Sequence, residues 1–248
     1  MSGVEAVVFD YGHTIVDFRR TEEALLDAYR QIRERIEAAL EIEAPEVGHL
    51  IDRVAREVDR LVGVSYEERR MEELDAHRVF DEVLRAVLGL EVPRDVVGHI
   101  VALDHSAFTN TITVSEENLA VLARLKEQGH RLGLISNVTL LPDLMRADIE
   151  ALGIGQHLDA ALFSSEVGVR KPDERIFRAM LERLGVAPER TVFVGDRLVD
   201  DVDGAHRVGM RAVQTREFRV EEDPAIEPDA VIERLPELLA VLEPWAAR

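Results

Sequence analysis

The sequence predicts an α/β fold in which helices cover a parallel β-sheet and a helical domain is inserted after the first strand. Two observations favour it. Short runs rich in β-branched and aromatic residues alternate with segments of helical period, which is typical of parallel strands joined by helices. After the first such run, about 90 residues hold no convincing strand. An inserted helical domain is the simplest interpretation of that interval.

The predicted elements follow from hydrophobic period. Strands are expected at 4–9, 132–136, 160–164, 191–195, 211–214 and 229–232. In the insert, apolar residues at steps of three and four predict a helix beginning near Thr21, and further helices are expected at 45–62, 66–89 and 93–107. The predicted division is a core domain of residues 1–15 and 113–248 and a helical domain of residues 16–112, joined through segments 15–19 and 108–115.

Composition narrows the class of protein. The chain has 248 residues, a net charge of -19 and no cysteine, which excludes disulfides and thiolate metal sites. No basic run offsets the negative charge, so we expect no binding to nucleic acid or to an anionic membrane. Neither a membrane-length apolar run nor a signal-peptide pattern is visible, so the default expectation is a cytoplasmic protein.

Polar residues follow several predicted strands, and the carboxyl ends of parallel strands meet in one crevice. Asp10 follows the first strand, Ser136 ends the second and is followed by Asn137, and Lys171 precedes a predicted helix. Each has an ordinary structural explanation when taken alone. Aspartate, serine and asparagine are common in turns and helix caps, and most lysines lie on the surface. Lys171 carries more weight because it is one of only two lysines in the chain.

The densest signal is the run of acids after the strand 191–195. Asp196, Asp200 and Asp201 lie within six positions and would repel one another strongly without a cation. Carboxylate oxygens are ligands that suit Mg²⁺. The alternative, in which these residues are loop and cap acids, stays open on this evidence alone.

Taken in order, these segments resemble the haloacid dehalogenase superfamily, most of whose members are magnesium-dependent phosphohydrolases. The resemblance covers Val7 to about Gly209 and the last strand, and it implies a Rossmann-like three-layer core with the insert as a helical cap. Asp10 matches the nucleophile of that superfamily, and Lys171 matches its conserved lysine. Thr14 matches the threonine of its first loop, and Ser136 matches the hydroxyl of its second motif. Together with Lys171 and Asn137, whose amide could hold an anionic oxygen, they would hold the phosphate.

What the resemblance implies is covalent catalysis on a small phosphorylated substrate. Asp10 would attack phosphorus, form an aspartyl phosphate and release it to water. Mg²⁺ would be held by Asp10, the backbone carbonyl of Gly12 and Asp196, with Asp201 as a further ligand or a neighbour of the ligands. Substrate identity and oligomeric state are left open by the sequence.

Gly12 departs from the superfamily pattern, which has a second aspartate there. That carboxylate would protonate the leaving group and activate water, a contribution of about 10²–10⁴-fold in rate. His13 is the candidate substitute, and good leaving groups should be favoured. One alternative is a catalytically weak protein that binds a phosphorylated ligand or a protein partner. A 2-haloacid dehalogenase is less favoured, since the dehalogenases lack the acids found here at Asp196 and Asp201.

Overall fold

A computed structural model describes residues 3–89 and 91–246 of the chain. Eight strands occur in it: β1 (Ala6–Phe9), β2 (Val16–Asp17), β3 (Thr113–Val114), β4 (Arg131–Ser136), β5 (Ala160–Phe163), β6 (Thr191–Gly195), β7 (Arg211–Thr215) and β8 (Ala230–Ile232). The α-helices are α1 (Glu22–Leu40), α2 (Val47–Leu50), α3 (Arg56–Glu67), α4 (Ala76–Leu88), α5 (Arg94–Thr109), α6 (Glu116–Glu127), α7 (Pro142–Ala151), α8 (Ser164–Val167), α9 (Glu174–Leu184), α10 (Gly204–Arg207) and α11 (Leu238–Ala246).

Six strands form one sheet in the order β5-β4-β1-β6-β7-β8, and every neighbouring pair is parallel. The predicted α/β class is therefore confirmed, and each of the six predicted strands has a counterpart. From β1 the chain builds outward to β5 and then returns to the other side of β1 at β6. Such a reversal opens a crevice at the carboxyl ends of the central strands, which here are β1, β4 and β6.

The sheet is buried because its strands are almost wholly apolar. The side chains of β1 and β6 are buried on both faces, as expected for a parallel sheet covered by helices. Gly133 in β4 permits the close approach of α9, since a Cβ atom there would lie 2.7 Å from the sulfur of Met180. That packing fixes the strand that ends in Ser136.

The chain divides into two compact units. One comprises residues 1–17, 113–138 and 146–248 and contains the sheet; the other comprises residues 18–112 and 139–145 and is helical. The helical unit has its own apolar core, against which Leu140 and Leu141 pack. Those two residues follow β4 in the chain, so the segment after this strand contributes to the helical core. The predicted domain boundaries at residues 15/16 and 112/113 remain predictions.

The boundary between helices α3 and α4 of the insert differs from the prediction. A continuous helix runs from Val47 to Glu67 through a π-helical stretch at Ile51–Ala55, and the expected helix at 66–89 begins only at Ala76. Arg69 adopts a positive φ of 51°, which ends the first helix. Asp75 then caps the next one by accepting the backbone N–H of Arg78 at 2.9 Å.

The two connections between strand β1 and helix α6 contain the short strands β2 and β3. These pair antiparallel, with Val16 opposite Val114. The sequence predicts the paired connections but not their strand geometry. Among the described residues, no helix combines the length and apolar character that a membrane span requires.

Candidate active site

Strand β1 places Asp10 at the crevice. The backbone N–H of Asp10 donates to the Val194 carbonyl at 2.8 Å, so the β1–β6 pairing extends one residue beyond the strand. A tight turn follows at once, because the N–H groups of Ile15 and Val16 both donate to the carbonyl of Tyr11. The side chain of Asp10 is buried by this arrangement but stays 12% exposed.

Lys171 is the centre of the site. Its ammonium donates to Asp10 Oδ1 at 2.6 Å, to Asp201 Oδ1 at 2.7 Å and to the Ile135 carbonyl at 3.0 Å. The Phe193 ring lies 5.2 Å from the same nitrogen, within the range of a cation–π contact. An ammonium has three protons to donate, and all three are used. Lys171 is 2% exposed and is therefore held in a single position.

Asp201 reaches this lysine because of a glycine. A Cβ atom at Gly195 would lie 2.3 Å from Asp201 Oδ2, so only glycine lets that carboxylate fold back over the end of the strand. Asp201 Oδ2 also accepts the backbone N–H of Arg197 at 3.0 Å. One oxygen each from Asp10, Asp196 and Asp201 can be chosen so that all lie within 4.8 Å of one another. We call these three residues the acid cluster.

The charges of the acid cluster perturb one another. Burial, together with the carboxylates of Asp10 and Asp201, raises the pKa of Asp196 to about 8. Burial likewise raises the pKa of Asp201, against the opposing effect of Lys171. Burial alone would lower the pKa of Lys171, but the carboxylates of Asp10 and Asp201 outweigh it and the pKa is raised. Excess negative charge is therefore concentrated in a buried place.

The donor set of the acid cluster fits a hard divalent cation. Three buried carboxylates offer oxygen ligands, which Mg²⁺ and Ca²⁺ prefer. Burial is the first cause of the raised pKa values of Asp196 and Asp201, and repulsion by neighbouring carboxylates adds to it. A cation at this place would offset that repulsion.

The three residues expected to bind phosphate together with Lys171 have different surroundings. Ser136 is the last residue of β4 and is buried. The Thr14 side chain is fully buried, and its hydroxyl has no hydrogen-bond partner among the described residues. Asn137 accepts the backbone N–H of Lys171 at 2.7 Å and donates to the Lys171 carbonyl at 3.0 Å. Its side chain therefore fixes the backbone that carries the central lysine.

His13 lies in the turn after Asp10 with a positive φ of 58°. Its Nδ1 is 3.3 Å from Asp17 Oδ1, and the side chain is about one-fifth exposed. Carboxylates often fix the orientation of an imidazole in this way. The adjacent Gly12 supplies backbone only.

Two residues that sequence reasoning did not select complete the site. Arg219 Nη1 donates to Asp196 Oδ2 at 2.8 Å, and the Glu221 carboxylate accepts the backbone N–H of Leu198. Both come from the loop between β7 and β8. Their letters resemble those of any charged loop, and nothing in their spacing marks them.

The chain is similar in sequence to known proteins. The family profile described as haloacid dehalogenase-like hydrolase matches residues 4–209. A protein of Methanopyrus kandleri (strain AV19) named glyceraldehyde 3-phosphate phosphatase is 32% identical over 248 residues, which are 98% of this chain and 99% of that protein. The chain therefore belongs to the haloacid dehalogenase-like hydrolase family.

Solved structures show the same relationship. The crystal structure of a HAD phosphatase from Thermococcus onnurineus has 26% sequence identity and a TM-score of 0.62, over 97% of this chain and 98% of that one. A 2-haloacid dehalogenase from Pseudomonas syringae pv. Tomato DC3000 is also 26% identical, with a TM-score of 0.67 over 98% of this chain and 100% of that one. The similar structures thus include a phosphatase and a dehalogenase. The acid cluster is the feature of this chain that bears on the choice between these two reactions.

Proposed function

We propose that the protein is a magnesium-dependent phosphohydrolase that cleaves a small phosphorylated metabolite through an aspartyl phosphate on Asp10. The observation that carries this proposal is the buried lysine that joins Asp10 to Asp201 beside Asp196. A carbon–halogen hydrolase has no need of three clustered carboxylates. A phosphohydrolase uses such a cluster to hold a cation against the phosphoryl group. The name of the Methanopyrus kandleri protein supports a small phosphorylated substrate.

The proposed reaction starts with Asp10. Lys171 holds Oδ1 of that carboxylate, so Oδ2 is the oxygen that attacks phosphorus. The P–O bond to the leaving group breaks as the bond to Oδ2 forms, and water later cleaves the aspartyl phosphate to return free Asp10 and inorganic phosphate. Lys171 keeps the nucleophile in place and balances charge during both steps.

Mg²⁺, when bound, would neutralise charge between the carboxylates and the phosphoryl oxygens. Asp10, the Gly12 carbonyl, Asp196 and Asp201 would hold it. Ser136 and Thr14 belong to the segments expected to hold the phosphate. Asn137 contributes through the backbone of Lys171, which it fixes by two hydrogen bonds.

Gly12 determines for which substrates the rate of cleavage is reduced least. Without a carboxylate at that position, an alkoxide leaving group departs unprotonated unless His13 donates a proton. Aryl and acyl phosphates have leaving groups that need no proton. We therefore expect 4-nitrophenyl phosphate and acetyl phosphate to be cleaved faster than glycerol phosphate or glyceraldehyde 3-phosphate.

The test is a phosphate-ester panel assayed with and without Mg²⁺. Asp10→Asn should abolish turnover of every compound, because it removes the nucleophile. Gly12→Asp should raise kcat/KM for the alkyl phosphates by about tenfold or more, part of the usual general-acid contribution, and should change the aryl phosphates less. Equal rates on alkyl and aryl phosphates in the wild-type protein would contradict the role assigned to Gly12.

Gly12 also favours a second candidate function, a weak or inactive family member that binds a phosphorylated ligand. Under that hypothesis the ligand stabilises the wild-type protein, yet no Mg²⁺-dependent turnover occurs. The same panel separates the two functions. Release of halide from a 2-haloacid without Mg²⁺ would refute both.

A further inference from the structure

The loop between β7 and β8 brings a cation to the acid cluster. Arg219 Nη1 lies 2.8 Å from Asp196 Oδ2. The Asp196 side chain is 1% exposed and that of Arg219 is 39% exposed, so the guanidinium reaches from the surface to a buried carboxylate. Most surface ion pairs join two exposed side chains and contribute little. Arg219 differs because its partner is buried.

Both sides of Arg219 are anchored. Glu217 accepts the backbone N–H of Leu235 at 2.7 Å. Glu221 accepts the backbone N–H of Leu198, and its carbonyl accepts the side-chain amide of Gln214 at 2.8 Å. The loop is thereby attached to the segment that follows Asp196. Arg219 therefore lies in a loop whose position is fixed by hydrogen bonds on both sides of it.

We propose that Arg219 is a built-in counter-cation of Asp196, which stabilises the acid cluster when no metal is bound and limits how tightly Mg²⁺ binds. This inference rests on the metal site of the proposed function and adds its regulation. Arg219 contacts a candidate metal ligand and not the reacting atoms, so it is not a catalytic residue. Its guanidinium contacts Oδ2 of Asp196 at 2.8 Å.

The expected effect follows from electrostatics. A positive charge beside a ligand repels an incoming cation and stabilises the state that lacks it. Because the Arg219 side chain is 39% exposed, solvent screens part of this effect. Removal of the charge should tighten Mg²⁺ binding by about three- to tenfold.

The chain offers a matched control in the same loop. Arg216 lies 4.0 Å from Glu233, and the structure shows no contact between it and the acid cluster. Arg216→Gln changes the net charge of the protein as much as Arg219→Gln does. Arg219→Lys keeps the positive charge at the site. Comparison of the three variants separates a local effect from a change in overall charge.

The experiment is isothermal titration calorimetry of the intact protein with MgCl₂ and no substrate. We expect Kd to fall about three- to tenfold in Arg219→Gln, as estimated above, and to stay near the wild-type value in Arg216→Gln and Arg219→Lys. An equal Kd in Arg219→Gln and Arg216→Gln would overturn the proposal. Weaker binding in Arg219→Gln would also overturn it, because Arg219 would then orient Asp196 for the metal. Failure of the proposed function is distinct: the wild-type protein would bind no Mg²⁺.

Discussion

Asp196→Asn should stabilise the metal-free protein while abolishing its response to Mg²⁺. Asparagine has nearly the shape of aspartate but no charge, so the substitution removes one of three clustered carboxylates. It also replaces the carboxylate partner of Arg219 by an amide oxygen. A residue that stabilises the fold would be expected to give the opposite result when it is removed.

The magnitude follows from the raised pKa of Asp196. In the folded protein it is about 8, against an ordinary value of 3.8. A raised folded-state pKa contributes stability that is fully present below pH 3.8 and is lost as the pH rises towards 8. Over the interval to pH 7 this amounts to about 4 kcal/mol at most. The pKa of Asp196 already contains the opposing effect of Arg219, so that figure is an upper bound, and we expect a net gain of about 1–3 kcal/mol at pH 7.

The assay is differential scanning calorimetry at pH 5 and pH 7, each with EDTA and with MgCl₂. Two compact units can unfold separately, so the transition to follow is the one that Mg²⁺ shifts in the wild-type protein. In EDTA, the midpoint temperature of the wild-type transition should be lower at pH 7 than at pH 5. The variant should show a smaller decrease. Mg²⁺ should raise the wild-type transition by mass action and leave the variant unchanged.

Asp203→Asn is the matched control. Asp203 lies in the same segment, but it is half-exposed and pairs with Arg207, so its loss should cost less than about 1 kcal/mol. The reasoning is refuted if Asp196→Asn lowers the metal-free transition by more than Asp203→Asn does. It is equally refuted if the wild-type transition rises between pH 5 and pH 7 in EDTA.

Two further variants have controls within the chain. Lys171→Met should abolish turnover, and in EDTA it should lower the free energy of unfolding by about 3 kcal/mol or more because two buried carboxylates lose their cation. The other lysine, Lys126, forms a half-exposed ion pair. Lys126→Met should lower the free energy of unfolding by less than about 1 kcal/mol, as measured by thermal unfolding. If His13 protonates the leaving group, His13→Gln should remove the ionisation near neutral pH from the pH–rate profile for glycerol phosphate, whereas His206→Gln, which breaks a similar pair with Asp229, should leave it. An unchanged profile in His13→Gln would exclude that role.

The sheet could be predicted because each of its strands carries a local signal. β1 and β6 are apolar runs that end in an aspartate, and their burial on both faces is what a parallel sheet produces. The closeness of Asp10, Lys171 and the acids after β6 could also be expected, since strand ends converge in one crevice. Hydrophobic period carries the first inference, and the second also needed the resemblance to the haloacid dehalogenase superfamily.

The remaining features depend on contacts between distant segments, which leave no periodic trace. Arg219 finds Asp196 only because Glu217 and Glu221 anchor the loop, and charged loops elsewhere look the same in sequence. The role of Asn137 could not be predicted for the same reason, since its side-chain amide forms hydrogen bonds with the backbone of a residue 34 positions away. The break before α4 was missed because the stretch around Arg69 is strongly charged and favours helix as readily as turn.

Charge balance connects Arg219 to the proposed chemistry. Three carboxylates of the acid cluster face two cationic side chains, Lys171 and Arg219, so the site has an excess of one negative charge when all are ionised. A bound divalent cation would reverse that excess to one positive charge, which suits a dianionic phosphate ester. Without Arg219 the metal-loaded site would be neutral. Arg219→Gln should therefore bind Mg²⁺ more tightly but inorganic phosphate more weakly, and opposite changes in these two affinities would distinguish a counter-cation from a purely structural arginine.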